Sequence, residues 1–99
     1  WRLDKNWRSV RDEVPWVKKL PSEYVWDHVR FTTQPLVDPP KADLLAMCGM
    51  IHAEKTLLFS SDYPHWDFDD PLTALNTLPP EMRRRIVADN AIETYGDRV

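Results

Sequence analysis

Two short runs rich in apolar and β-branched residues, Val29–Gln34 and Thr56–Ser60, stand on either side of one helical stretch, Ala42 to Ala53. A parallel pair of strands needs a connection of about a dozen residues, usually a helix, and this spacing supplies one. The pattern therefore predicts a parallel βαβ unit with a right-handed crossover. The second run is almost continuously apolar, as expected of a strand buried on both faces. Two parallel strands alone leave both faces and both edges unfinished. With 99 residues the chain holds at most one domain. It is too short for a closed parallel barrel, which takes about 250 residues.

The flanking segments read as helices. Leu3, Trp7, Val10 and Val14 recur at helical spacing, so an amphipathic helix is expected from Leu3 to Val14, interrupted by Pro15. Pro21-Ser22-Glu23 opens a second helix that ends near Asp27-His28. Val37-Asp38-Pro39-Pro40 is a loop, with Asp38 a candidate cap. The middle helix offers Leu44, Leu45, Met47, Cys48 and Ile51 as a broad apolar face, weakened by Gly49. Asp67 to Pro71 is a turn that could open a short helix through Leu72, Leu75 and Leu78. Pro79-Pro80-Glu81 starts the next helix, which passes through Ile86 and Val87, and a last turn from Ala91 to Tyr95 stops at Gly96.

The balance of charge excludes several functions. Thirteen basic against sixteen acidic side chains give a net charge of −3, which argues against nucleic acid as a partner. The cluster Arg83-Arg84-Arg85 is interleaved with Glu81 and Asp89 and reads as a solvated helix face. No apolar run is long enough to cross a membrane. The single cysteine, Cys48, lies in the apolar face of the middle helix and reads as a small buried packer. One cysteine fits a reducing compartment, so the expected location is cytoplasmic. The chain opens at Trp1 without a basic-then-apolar leader and reads as part of something longer. Five Trp in so short a chain suggest that a partner surface, or further chain, covers some of them.

Chemistry concentrates in Leu57–Asp67, where the second strand runs into Ser60-Ser61-Asp62-Tyr63-Pro64-His65-Trp66-Asp67. Active sites of parallel α/β proteins are built at the carboxyl ends of strands. A carboxylate released there, Asp62, is a candidate metal ligand or proton carrier. Ser-Asp after a strand is also an ordinary way to start a turn. His65 follows across a proline turn, and Trp66 could wall a pocket or simply pack. Asp67, Asp69 and Asp70 read as turn and helix-start charges, without the spacing or glycine of a calcium loop. His28 and His52 read as helix-end histidines beside free carbonyls. With only Gly49 and Gly96, the chain has no glycine-rich phosphate loop and no nucleophile elbow.

These residues resemble the amidohydrolase superfamily, and within it the amidohydrolase-related branch of decarboxylases and lactonases. Leu57–Asp67 is similar to the last barrel strand and its loop, and His28–Pro35 to the preceding strand. Asp89-Asn90-Ala91 with Tyr95-Gly96 is similar to the C-terminal helix. The resemblance implies a (β/α)8 barrel of which residues 1–99 form one partial domain, the last two β/α units and the C-terminal helix. It also implies one divalent metal, usually zinc, held by histidines of other strands and by an Asp that Asp62 matches. Asp62 would then be both metal ligand and proton-transfer group, with His65 and Trp66 lining the substrate pocket. The implied activity is hydrolysis or non-oxidative decarboxylation of a small carboxylic acid, lactone or amide, in a parent that could self-associate.

The sequence departs from the family pattern in one large respect. It holds no His-x-His, and no middle-strand histidine to complete the metal site. The 99 residues alone are therefore expected to be inactive and to bind zinc no better than millimolar. The alternative is a stand-alone interaction module in which the Asp62 loop is structural.

Overall fold

The computed structural model describes residues 1–36 and 39–98. Two proline-started segments set the frame. Pro21 begins α2 (Pro21–His28), where its missing N–H costs nothing, and the Glu23 carboxylate accepts the Leu20 N–H at 2.8 Å. The preceding helix, α1 (Arg2–Val10), is tied to it by Asp4, whose carboxylate accepts the Ser22 N–H at 2.9 Å and the Ser22 hydroxyl at 2.8 Å. A carboxylate at a helix N-terminus is electrostatically favoured, and these bonds hold the Asp4 carboxyl below its ordinary pKa. The sequence pattern placed the end of α1 at Val14. The helix instead ends at Val10 and passes into tighter turns, Glu13 to Val10 and Val14 to Arg11, because a residue before proline disfavours helical geometry.

Strand β1 (Phe31–Thr32) pairs in parallel with β2 (Leu57–Leu58), Phe31 opposite Leu57 and Thr32 opposite Leu58. The fold is thus α/β, as the spacing implied, but each strand is much shorter than the apolar runs 29–34 and 56–60. Thr56 belongs to a helical turn, α4 (Ala53–Thr56). Its buried hydroxyl donates back to the carbonyls of Ile51 and His52. The connection between the strands is α3 (Lys41–Met50) followed by α4, with His52 in the left-handed region between them at φ 53°. His52 therefore joins the two helices, its ring tilted against that of Trp26 with centroids 4.2 Å apart, and is not a residue of the last turn of α3. Asp38, the candidate cap, lies outside the described residues.

The core is one cluster: Leu44 and Cys48 from α3, Ala53 from α4, Leu57 from β2, Leu75 and Leu78 from the following loop, and Ile86. Burial raises the Cys48 thiol pKa, as befits an inert packer. The stretch 71–77 is a series of turns rather than the expected short helix. Leu75 takes φ 62°, and Leu72 projects into solvent. Arg83 pins these turns by donating to the carbonyls of Ala74, Pro71 and Leu72 at 3.0–3.1 Å. Arg85 likewise donates to the Glu54 carbonyl and pairs with Glu93. The arginine run is thus a set of structural clamps, with only Arg84 on a solvated face.

Helix α5 (Pro80–Arg84) continues through a π-helical stretch, Arg85–Asp89, into α6 (Asn90–Tyr95), and the chain turns at Gly96. The wider π turn lets the Asn90 N–H reach back to Arg85. The Ile86 carbonyl accepts the Phe59 N–H at 3.0 Å, closing the edge of the sheet just beyond β2. The two strands differ in burial: Phe31 and Thr32 are exposed, whereas Leu57 and Leu58 are buried. An apolar groove of about 510 Å³ runs beside β1 between α1, α2 and α3, walled by Leu3, Val25, Trp26, Phe31, Met47 and Met50. Among the described residues, no helix is long and apolar enough to cross a membrane.

Candidate metal-binding loop

Both strands run the same way, so their carboxyl ends open on one side, and the candidate residues gather there. β2 leads through Phe59-Ser60-Ser61 to Asp62, which adopts φ 57°. Aspartate tolerates this left-handed conformation better than most residues, and it turns the chain sharply off the strand. The turn is closed by the His65 N–H on the Asp62 carbonyl at 2.8 Å and by the Asp69 N–H on the Ser61 carbonyl at 3.0 Å.

Within the loop three ionisable side chains converge. His65 Nδ1 lies 2.5 Å from Asp67 Oδ1 and 3.8 Å from Asp62 Oδ2. One ligand atom from each of Asp62, His65 and Asp67 can be chosen so that all lie within 4.8 Å of one another. The hydrogen bond to Asp67, followed by the negative charges of Asp67 and Asp62, raises the pKa of His65 above the usual imidazole value. All three side chains are open to solvent. Trp66 is 86% exposed, its ring 5.8 Å from that of His65, so it touches the loop from outside.

Two residues at the end of β1 hold this loop. The Thr33 hydroxyl accepts the Ser60 N–H at 3.1 Å and donates to the Ser60 carbonyl at 3.3 Å. Gln34 donates its side-chain amide to the Asp67 carbonyl at 2.7 Å. Beside them a cavity of about 400 Å³ is lined by Thr33, Leu36, Phe59, Phe68, Asp69 and Thr73, among others. Asp70 is a turn former, as its position before Pro71 suggested, with its carboxylate accepting the Leu72 N–H at 2.8 Å.

The family model described as Amidohydrolase matches residues 1–96, nearly the whole chain. The chain belongs to the amidohydrolase family. No individual curated protein matches it. Membership gives this amidohydrolase chain a hydrolase-type function in general terms and a family background of divalent-metal binding.

The donor set of the loop can be tested against such a metal. Two carboxylates and an imidazole are suitable ligands for zinc or manganese. The Asp62 carboxylate is the donor left most available, since among the described residues its one polar side-chain partner is His65 at 3.8 Å. His65 is held by Asp67 through Nδ1, an arrangement that fixes the orientation of the ring. The donors of the loop are thus of a kind that suits a divalent metal, with Asp62 the least engaged of them and Asp67 holding His65.

Sequence reading brought Asp62, His65 and Trp66 to one loop, and the structure places them together. It assigned Asp67 to the turn alone and missed the bond to His65, although the His-x-Asp spacing was there to see. His28 ends α2, and Arg30 donates to the carbonyls of Trp26 and Val29 at the end of that helix. Neither belongs to the loop's cluster of donors. Thr33 and Gln34 were missed as well. Their only signal was a position at the end of one strand matching that of Ser60-Ser61 at the end of the other.

Proposed function

We propose that this chain forms the closing β/α units of a (β/α)8 barrel enzyme that uses a divalent metal, zinc in this reading. Its substrates would be small carboxylic acids, lactones or amides, cleaved by hydrolysis or by non-oxidative decarboxylation. The observation that carries the reading is the position of Asp62: a solvent-facing carboxylate at the carboxyl end of a parallel strand, beside His65, in an amidohydrolase-family chain. The exposed β1 and the apolar groove beside it supply the surface on which further strands would pack.

When bound, the metal would supply Lewis-acid polarisation of the substrate and make water more acidic. Asp62 would ligate it with one oxygen and use its carboxylate to accept and return a proton. His65, oriented by Asp67, would present a protonated imidazole edge to a substrate oxygen or carboxylate. Trp66 would close over the apolar part of the substrate. In this reading the histidine ligands come from strands outside these 99 residues, so the segment alone neither turns over substrate nor holds zinc better than millimolar. The protein would act in the cytoplasm.

The test is an activity screen on aromatic carboxylates and lactones with the protein expressed from its complete reading frame, wild type beside Asp62→Asn. Metal-dependent turnover that falls by about a thousandfold or more in the variant is expected, in line with losing a group that acts in the transition state. Equal turnover in the two would remove Asp62 from the mechanism. The apolar groove also favours a second reading, a non-catalytic interaction module. A chelator-insensitive protein with no turnover on the whole panel would point to that reading.

A further inference from the structure

We infer that Thr33 and Gln34, at the end of β1, are positioning residues that set the Asp62 loop in its working geometry. This rests on the reading of Asp62 as a metal ligand.

The backbone ladder between the strands ends with the Thr33 N–H on the Leu58 carbonyl at 3.0 Å. Beyond it the chains no longer pair through their backbones, and Ser60 would be left without a strand partner. The Thr33 side chain takes over. One hydroxyl serves as acceptor for the Ser60 N–H and donor to the Ser60 carbonyl, so both backbone polar groups of that residue are fixed two positions before Asp62. Thr33 is only 4% exposed, and at that depth water cannot replace the hydroxyl cheaply. Gln34 secures the far end of the loop through the Asp67 carbonyl. The two contacts bracket Asp62 and His65 from the neighbouring strand, at Ser60 and at Asp67. A loop held at both ends keeps its carboxylate pointing one way, which an open turn of exposed residues does not do by itself.

The test uses cobalt(II) as the probe, with the protein from the complete reading frame stripped of metal and reloaded. Affinity and the visible absorption of bound cobalt are read for wild type, Thr33→Val, Thr33→Ser, Gln34→Ala and Asp62→Asn, with far-UV circular dichroism as the check on folding. The expected result is a loss of about tenfold in affinity and a changed cobalt spectrum in Thr33→Val, recovered in Thr33→Ser. Gln34→Ala, at a partly exposed site, shows a smaller loss in the same direction. A folded Thr33→Val with wild-type affinity and spectrum overturns the inference. If that variant does not fold, wild-type behaviour in Gln34→Ala overturns it instead. Unchanged cobalt binding in Asp62→Asn removes the reading beneath. A loss in Asp62→Asn without one in the Thr33 and Gln34 variants removes only the positioning role.

Discussion

The side-chain amide of Asn90 donates to the carbonyl of Leu57 at 2.8 Å and to that of Ala53 at 3.1 Å, joining α6 to the first residue of the strand that leads to Asp62. Asn90 is 1% exposed, so its amide rather than water serves these carbonyls, that of Ala53 shared with the Leu57 N–H. Its own Oδ1 is buried without a partner among the described residues, a cost that the two donated bonds must outweigh.

Asn90→Ala takes a donor from the Leu57 carbonyl, leaves the Ala53 carbonyl with the Leu57 N–H alone, and opens a void beside β2. The expected destabilisation is about 2–4 kcal/mol, read as a lower urea midpoint at unchanged slope. A loss below about 1 kcal/mol would mean that the carbonyls find other donors and that Asn90 is not the tie between helix and strand.

Asp27 gives a pH dependence whose sign can be worked out. It accepts from Lys19 at 2.5 Å and Lys55 at 2.8 Å, linking α2 to α4, and these partners hold its carboxyl far below the ordinary range. A depressed carboxyl pKa contributes stability that is present above its unfolded value, about 3.9, and is lost as pH falls below it toward the depressed folded value. The difference in stability between wild type and Asp27→Asn should therefore be constant from about pH 5 to 8 and shrink below about pH 4. All three side chains are well exposed, so added salt should also narrow the difference. A gap that persists at pH 2 would assign it to packing rather than to charge.

Much of this was legible in the sequence, and the failures have common causes. Pro21, Pro80 and Gly96 mark element ends because their backbones allow little else, and each boundary appears where those residues put it. The parallel pair was legible because one helix-length connection between two apolar runs leaves few alternatives. The strand lengths were not, since Thr56 can satisfy its hydroxyl on a helical turn as readily as it can extend a strand. Arg83 and Arg85 looked solvated because carbonyl acceptors contributed by the backbone of distant segments carry no side-chain signature. Thr33 and Gln34 were invisible for the same reason: their partners are the Ser60 and Asp67 backbones, 27 and 33 residues away.

His65 should titrate above an ordinary histidine because Asp67 first, and Asp62 second, favour its charged form. In an NMR titration of the imidazole, Asp67→Asn should lower the midpoint more than Asp62→Asn, since the short hydrogen bond runs to Asp67. With a raised folded pKa, the associated stability is full below about pH 6.5 and fades as pH rises through the folded value. Equal effects of the two substitutions would show that charge alone, and not the Asp67 bond, sets the imidazole.

Gly49 lies in the last turn of α3, on its solvent side, with no φ that only glycine adopts and, among the described residues, no heavy atom within 4 Å of where a Cβ would sit. Nothing in the folded chain therefore requires glycine here. Its main effect is on the unfolded state, whose extra backbone freedom must be lost on folding. Gly49→Ala should raise stability by about 0.5–1 kcal/mol, read from thermal and urea unfolding, with the cobalt spectrum of the loop unchanged. The second readout matters because α3 packs Leu44 and Cys48 against the core that carries β2. A gain in stability with an altered spectrum would show that motion at the end of α3 reaches the Asp62 loop. A loss of stability would mean that this face packs against a neighbour that an added methyl group meets.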